Sequence, residues 1–213
     1  MGSEVHGQLY DEALDGRRCW IRDEDGDLTQ LPVQHWMVGG QTDQVFDQAI
    51  VGLCSGPTID LGCGPGRLLV GLAQRGLPAL GVDKSSAAVE LARNSGVTAL
   101  CRDMFGPLPG VGRWHTALLA DGNIGLGGDP WRVLRRAGEM LRARGECLVE
   151  FDPTTSGVTS RWVRLESAFD IGPWFKWASV GLDCAARIGA DVGFTLRTVH
   201  PIGDRVIARL VTR

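Results

Sequence analysis

Residues 57–66 constrain this chain most. Pro57-Thr58-Ile59-Asp60-Leu61 is a short apolar run bounded by turn formers, and it opens directly into Gly62-Cys63-Gly64-Pro65-Gly66. A helical pattern over residues 67–75 follows, with Gly76 as its stop. A strand that runs through glycines into a helix is a ligand-binding turn. Glycine lets the chain reverse sharply and lets backbone N–H groups approach a bound molecule. Asp60 stands at the mouth of the strand, where its carboxylate can meet a cation. Asp83 comes 21 residues after Gly62 and ends Leu80-Gly81-Val82-Asp83, an acid placed to accept both ribose hydroxyls of an adenosine. A dinucleotide fingerprint has glycines at its first, third and sixth positions and no fixed acid before them. Here the spacing is GxGxG with Asp60 ahead of it, so a pyrophosphate-binding loop is excluded.

The rest of the chain extends this unit. A helix is predicted over 43–53, with Val45, Phe46, Ala49, Ile50 and Leu53 on one stripe. Strands are predicted at 79–83, 97–102, 115–121 and 146–152. Between them lie helices capped by Ser85 or Ser86 and by Asp129-Pro130, the latter running to about Arg142. Apolar strands alternating with amphipathic helices predict a parallel sheet covered on both faces. Residues 159–168 read as an added strand and 180–190 as a helix. Strands at 195–200 and 205–211, joined by Pro201-Ile202-Gly203-Asp204, form a closing hairpin with an antiparallel strand. The expected fold is α/β, a three-layer sandwich on a mostly parallel seven-stranded sheet in one domain. Residues 1–40 form an N-terminal lid segment, 42–152 the core, and 153–213 a substrate-side insertion with the final strands. Within the lid, a short helix is expected over 9–14, and a polar turn at Asp23-Glu24-Asp25-Gly26-Asp27 joins two short segments, 19–22 and 28–31.

Charge narrows the partners. The net charge is −3, and Lys and Arg are scattered through the 213 residues. No basic face is expected, which disfavours a nucleic-acid partner and an anionic membrane surface. The first ten residues lack the apolar core of a signal peptide, and no run approaches the roughly 20 apolar residues of a membrane span. The six cysteines form no CxxC pair; they read as reduced, buried thiols of a cytoplasmic protein, and no iron–sulfur cluster is expected. Asp23-x-Asp25-x-Asp27 misses the calcium-loop pattern, because Gly26 falls at position 4 and Gln34 at position 12. No metal site is expected, and the chain is expected to be a monomer or homodimer.

Asp60-Leu61-Gly62-Cys63-Gly64-Pro65-Gly66 resembles the first motif of class I S-adenosylmethionine-dependent methyltransferases, of Rossmann-like fold. Gly81-Val82-Asp83-Lys84-Ser85 resembles their second motif, and Arg102-Asp103-Met104 the segment after their third strand. Leu119-Ala120-Asp121-Gly122-Asn123 occupies their fourth-strand position. The stretch from Ala120 to Pro130 also looks like that of actinobacterial small-molecule enzymes. The resemblance implies S-adenosyl-L-methionine as cofactor. It implies Gly62, Cys63 and Gly64 along the methionine moiety and Asp60 near its ammonium. It places Asp83 on the ribose, Lys84, Asp103 and Met104 beside the adenine, and the Ala120 carbonyl toward the methionine end.

The acceptor side is less defined. The Asn/Asp-Pro-Pro-aromatic signature of enzymes that methylate amide or base nitrogens is missing, which disfavours DNA, RNA-base and protein-glutamine acceptors. The expected reaction moves a methyl group to O or N of a small molecule, and the alternative is a cofactor-binding protein without methyl transfer. Asp121 is the candidate base or substrate anchor. Tyr10 and His35 can reach the site if the N-terminal segment folds over it as a lid, and His35 would then accept a proton. Asn123 and the aromatic segment Trp174-Phe175-Lys176-Trp177 are candidate substrate contacts, with Trp174 as the leading wall. Asp121, Glu150 and Asp152, at neighbouring strand ends, raise a metal-assisted variant, but Asp152-Pro153 stands where a second acid-amide ligand pair is usual.

Overall fold

The computed structural model describes residues 4–40 and 44–213. The expected helix start at Asp43 lies outside the described residues. The chain order is α1 (Glu4–Leu14), β1 (Cys19–Asp23), β2 (Leu28–Gln30), α2 (Gln44–Leu53), β3 (Thr58–Leu61), α3 (Arg67–Gln74), β4 (Ala79–Asp83) and α4 (Ser86–Asn94). It continues with β5 (Ala99–Cys101), β6 (Trp114–Leu119), α5 (Pro130–Met140), β7 (Leu141–Phe151), β8 (Val158–Ser167), β9 (Phe175–Val180), α6 (Ala185–Asp191), β10 (Phe194–Ile202) and β11 (Arg205–Thr212). Single 3₁₀ turns at Val33–His35, Asn123–Gly125 and Leu182–Cys184 complete it.

Seven strands form the main sheet in the order β10-β11-β7-β6-β3-β4-β5. The pairs from β7 to β5 are parallel, and β11 lies antiparallel between β7 and β10. This is the expected sheet with its reversed C-terminal strand. Because both faces are covered, successive residues of one strand feed opposite cores. Ala117 and Leu119 of β6 pack with Val133, Leu134, Ala137 and Met140 of α5. Leu118 and Ala120 pack with Phe46 and Ile50 of α2 and Leu68 and Leu72 of α3. That two-sided burial is why these strands read as unbroken apolar runs. The caps are as expected: the Ser85 hydroxyl accepts the Ala88 N–H, and Asp129 accepts the Arg132 N–H at 3.0 Å ahead of Pro130.

A second sheet is the main departure. β2-β1-β8-β9 is a four-stranded antiparallel sheet in which β1 pairs β8 from Cys19↔Ser167 to Asp23↔Val163. The two short N-terminal segments are therefore a hairpin that adds to a strand more than 130 residues away. The aromatic segment at 174–177 is largely strand, because β9 pairs β8 from Val158↔Val180 to Val163↔Phe175. That pairing takes Val180 from the predicted helix, which shortens to Ala185–Asp191. The helix expected to reach Arg142 ends at Met140, where Leu141 turns extended and begins β7.

A third apolar cluster ties the N-terminal segment down. Leu9 and Ala13 of α1, Cys19, Leu31 and Val33 meet Ala88 of α4 and Leu165 of β8. Asp11 fastens the same helix, accepting a 2.5 Å hydrogen bond from the Ser85 hydroxyl that also caps α4. Five of the six cysteines are buried; Cys101 is exposed, contrary to the expectation of buried thiols, because β5 is the edge strand and ends there. Among the described residues, no helix is long and apolar enough to cross a membrane.

Candidate cofactor and acceptor site

The strand order reverses direction of growth between β3 and β6, and ligands of open parallel sheets bind outside the carboxyl ends of the strands at that point. A cavity of about 1140 Å³ opens there. The turns after β3, β4, β5 and β6 line it, together with α1, residues of the 31–36 segment and the second sheet.

The glycine turn is built from within. Gly62, Gly64 and Gly66 have φ of 85°, 52° and 88°. At Gly62 a Cβ would stand 2.6 Å from Asn123 Nδ2, so the position must lack a side chain. Asn123 uses that nitrogen to strap the turn, donating to the Gly62 carbonyl at 2.8 Å and the Leu61 carbonyl at 3.2 Å. The N–H groups of Gly62 and Cys63 both donate to the Val82 carbonyl, at 2.8 and 3.1 Å, and the Gly64 N–H donates to Asp83 Oδ2 at 2.9 Å. The expected free N–H donors are therefore already used inside the protein. What the glycines contribute is close approach of a bare backbone surface.

Two acids sit beneath that surface. Asp83 also accepts the Ser85 N–H at 2.9 Å, and burial raises its pKa against the lowering effect of these N–H groups. Asp60 is 2% exposed, lines the cavity, and among the described residues has no hydrogen-bond or ion-pair partner. Burial, then the charges of Asp121 and Asp83, push its carboxyl up to about 8. A buried carboxylate is costly to ionise without a counter-charge, so this position calls for a cation from the cavity side.

Beyond β5, Lys84 Nζ lies 3.6 Å from Asp103 Oδ2, while Asp103 Oδ1 accepts the Phe105 N–H. Both residues line the cavity, with buried Met104 beside them. Arg136 of α5 fixes this loop, donating to the Met104 and Gly106 carbonyls at 2.6 Å each.

Asp121 is held on all sides. Its φ of 52° is in the left-handed region, which a short acid tolerates better than most residues. Its N–H donates to Glu150 Oε2 at 2.6 Å. Its carboxylate accepts from Arg67 at 2.5 Å and from Arg205 at 2.8 Å. Arg205 also binds Glu150 at 2.6 and 2.7 Å and lies 3.4 Å over the Phe46 ring, and Arg67 pairs with Asp47. In the chain Asp47–Arg67–Asp121–Arg205–Glu150, Arg67 and Asp121 line the cavity and the other three hold them from behind, and its two arginines were not marked by any sequence motif. It also reassigns the acids considered for a metal: Asp121 and Glu150 share Arg205, and Asp152 accepts from Thr154 and Thr155. Among the described residues no group of three His, Cys, Asp or Glu side chains is placed to hold a metal.

From the second sheet, Ile21 of β1, Val163 and Leu165 of β8, and Phe175, Lys176 and Trp177 of β9 line the cavity. The apolar ones alternate along their strands, so one face of the second sheet is turned to the cavity, while the Lys176 ammonium lies 5.3 Å from the Trp162 ring centroid. Trp177 also closes on the turn after β6, its ring 3.5 Å from where a Gly122 Cβ would be. Tyr10 and Trp36 cover the site from the lid side, with ring centroids 5.9 Å apart. The Tyr10 hydroxyl lies 3.5 Å from the Cβ position of Gly64. Burial, and then the charges of Asp83 and other acids, raise its pKa well above the usual phenol value, so it stays a neutral O–H.

Of the residues expected from the sequence, two are not at the cavity. His35 lies in the 3₁₀ turn Val33–His35 and is exposed; its neighbours Pro32 and Trp36 face the cavity and it does not. Trp174 is 41% exposed, with Arg164 stacked 4.6 Å over its ring on the far side of the sheet. Phe175 and Trp177 take the place expected of Trp174, because β9 presents alternate residues.

No protein-family model matches the chain. Among solved structures, a SAM-dependent methyltransferase from Bacteroides fragilis in complex with S-adenosyl-L-homocysteine is similar, with a TM-score of 0.81 at 18% identity, over 99% of this chain and 95% of that one. A 1,6-didemethyltoxoflavin-N1-methyltransferase from Burkholderia thailandensis gives 0.59 at 16% identity, over 78% of this chain and 76% of that one. A methyltransferase from Streptomyces caelestis gives 0.61 at 16% identity, over 82% and 91%. The chain thus has the Rossmann-like fold of these methyltransferases, reversed C-terminal strand included.

Proposed function

We propose that this chain is an S-adenosylmethionine-dependent methyltransferase that moves a methyl group to an O or N atom of a small molecule. One observation carries the reading: Asp60, a buried carboxyl without a partner among the described residues, faces the cavity under a bare glycine surface. The cofactor's ammonium fits that need, and Asp83, at the next strand end, fits the ribose hydroxyls. Gly62, Cys63, Gly64 and Ala120 would border the methionine moiety, and Lys84, Asp103 and Met104 the adenine. The names of the solved structures of similar fold support the same activity.

When bound, S-adenosylmethionine supplies a methyl group already activated by its sulfonium. The protein's part is then to orient the acceptor and exclude water. Asp121 acts in this reading as a positioning residue: two guanidinium groups hold its carboxylate, and its N–H fixes the turn that carries Ala120 and Asn123. Asn123 supports the glycine turn in the same way. Tyr10 closes the lid side over Gly64. Calorimetric titration with S-adenosylhomocysteine tests the reading. Micromolar binding lost in Asp83→Ala is expected, and a chain that takes up NAD but not S-adenosylhomocysteine refutes it. Transfer of label from methyl-labelled cofactor to small molecules of a cell extract tests the second half.

A further inference from the structure

Two cavities meet at one side chain. Beside the main cavity lies a second of about 210 Å³, bounded by the ends of β7 and β9 and by Asp204 and Arg205 at the start of β11. Among the described residues, Gly122 and Trp177 are the two that line both. Gly122 has no side chain, so the indole of Trp177 is what stands between the two spaces.

The chain is cut back to make room for this ring. Trp177 Cζ2 lies 3.5 Å from where a Gly122 Cβ would be, and Nε1 lies 3.0 Å from the same point at Gly125. A Cβ at Gly125 would also collide with the Ala178 carbonyl, so β9 packs directly on the turn 122–125. Gly122 has a φ of 78°, in the left-handed region that suits glycine. A bridge between Leu126 and Trp177 ties the backbone of β9 to the end of the same turn. The ring itself is placed by packing, since the Trp177 indole N–H makes no hydrogen bond among the described residues. Removing the ring therefore strands no buried polar partner.

The ring stands where the reaction is proposed to occur. Its turn follows Ala120 and Asp121, which line the main cavity, and Asn123 of the same turn straps Gly62. In the reading above Ala120 borders the methionine moiety, so a molecule that meets the activated methyl has Trp177 on its flank. Beyond the ring, the second cavity offers the buried apolar side chains Ile124, Phe151 and Val180, with the Glu150–Arg205 ion pair as its polar side. It is too small for a ligand of its own. Its volume of about 210 Å³ is below the roughly 300–1,000 Å³ of a ligand site and corresponds to about seven waters. It can serve only as an extension of the larger space.

We infer that Trp177 determines specificity at this site: its indole is a stop that ends the acceptor's reach at the turn 122–125 and keeps it out of the second cavity. This rests on the methyltransferase reading above. The ring takes no part in bond making. A shorter side chain at this position joins the two spaces, and adds about 210 Å³ and the volume of the ring itself to the room for an acceptor. An apolar chain that enters such room gains about fourfold in affinity per buried CH₂ group, whereas in the native protein it meets the ring.

The test uses the full chain and nitrogen analogues of the cofactor. In these a tertiary amine replaces the sulfonium and carries a methyl, butyl or octyl chain where the transferred methyl would be. Binding to the wild type, Trp177→Phe and Trp177→Ala is measured by calorimetry. The methyl-bearing analogue is expected to bind all three proteins within about threefold. The octyl analogue is expected to bind Trp177→Ala about tenfold tighter than the wild type or more, with Trp177→Phe between them. A ratio of wild-type to variant Kd that does not rise with chain length overturns the inference, because the ring then limits nothing. Loss of the methyl-bearing analogue by both variants also overturns it, because the ring then supports the cofactor instead. If Trp177→Ala does not fold, the Trp177→Phe series is read by the same rise with chain length. Failure of the methyl-bearing analogue to bind the wild type refutes the underlying reading instead, and is seen in the first titration.

Discussion

Replacing Asp60 by Asn should stabilise the cofactor-free protein while it weakens cofactor binding. In the folded chain this carboxyl titrates at about 8, raised first by burial and then by Asp121 and Asp83. In an unfolded chain it titrates near ~3.9. Between those values the native state holds one more proton than the unfolded state, so stability falls as pH rises, by up to about 1.4 kcal/mol per pH unit from this group. The full window would give several kcal/mol. Allowing for relaxation and for water at the cavity mouth halves it, to about 3 kcal/mol at pH 8.5 and below ~1 kcal/mol at pH 5. Asn keeps the shape and removes the charge. For a chain of this size about 3 kcal/mol corresponds to a rise of about 6–12 °C in Tm at pH 8.5, with little change at pH 5. Differential scanning calorimetry of both proteins at the two pH values reads this directly. Binding supplies a second readout: a cation at this position draws the carboxyl back to its charged form. The wild type should therefore release close to one proton on taking up S-adenosylhomocysteine at pH 7, measured by titration in buffers of different ionisation enthalpy. If Asp60→Asn gains no stability at pH 8.5 relative to pH 5, the carboxylate is not strained and the argument fails.

Three further outcomes follow from other parts of the site. Gly62→Ala should cost about 2–4 kcal/mol, from a φ of 85° and a Cβ 2.6 Å from Asn123 Nδ2; the double variant with Asn123→Ala relieves the clash but keeps the backbone cost of about 1–2 kcal/mol, as urea unfolding would show. Arg205→Met leaves Asp121 and Glu150 facing each other without their shared cation, a loss of about 2–4 kcal/mol, and adding Glu150→Gln should restore part of it; equal stability of the single and double variants would mean the pair is not coupled. His35→Ala should change stability by no more than about 0.5 kcal/mol and leave kcat/KM within twofold, because the ring is exposed and turned from the cavity; a tenfold loss would return His35 to the reaction.

How much was legible beforehand differs between the strand-end turns and the second sheet. Asp60, Gly62–Gly64, Asp83, Lys84, Asp103, Met104 and Ala120 all line it, and each lies at the end of a strand whose apolar run is visible in the sequence. The main sheet was legible for the same reason, since strands buried on two faces are continuous apolar segments. The roles within those turns were less so. The N–H groups of the glycine turn turned out to be bound to Val82 and Asp83, a pairing that depends on the neighbouring strand.

The amino-acid sequence by itself marked the place proposed here for a nucleotide-like cofactor, because a strand, a glycine turn and an acid one strand further on are local features at fixed spacing. Only the tertiary structure decided what faces it. The second sheet's wall of the cavity exists because β1 pairs with β8 and β8 with β9, contacts between segments up to 148 residues apart that no local pattern announces. Once that sheet forms, its two-residue period turns Phe175 and Trp177 inward and leaves Trp174 outside. Asp121 shows the same division. Its position after the fourth strand was readable, but its pairing with Arg67 and Arg205, 54 residues before it and 84 after, was not.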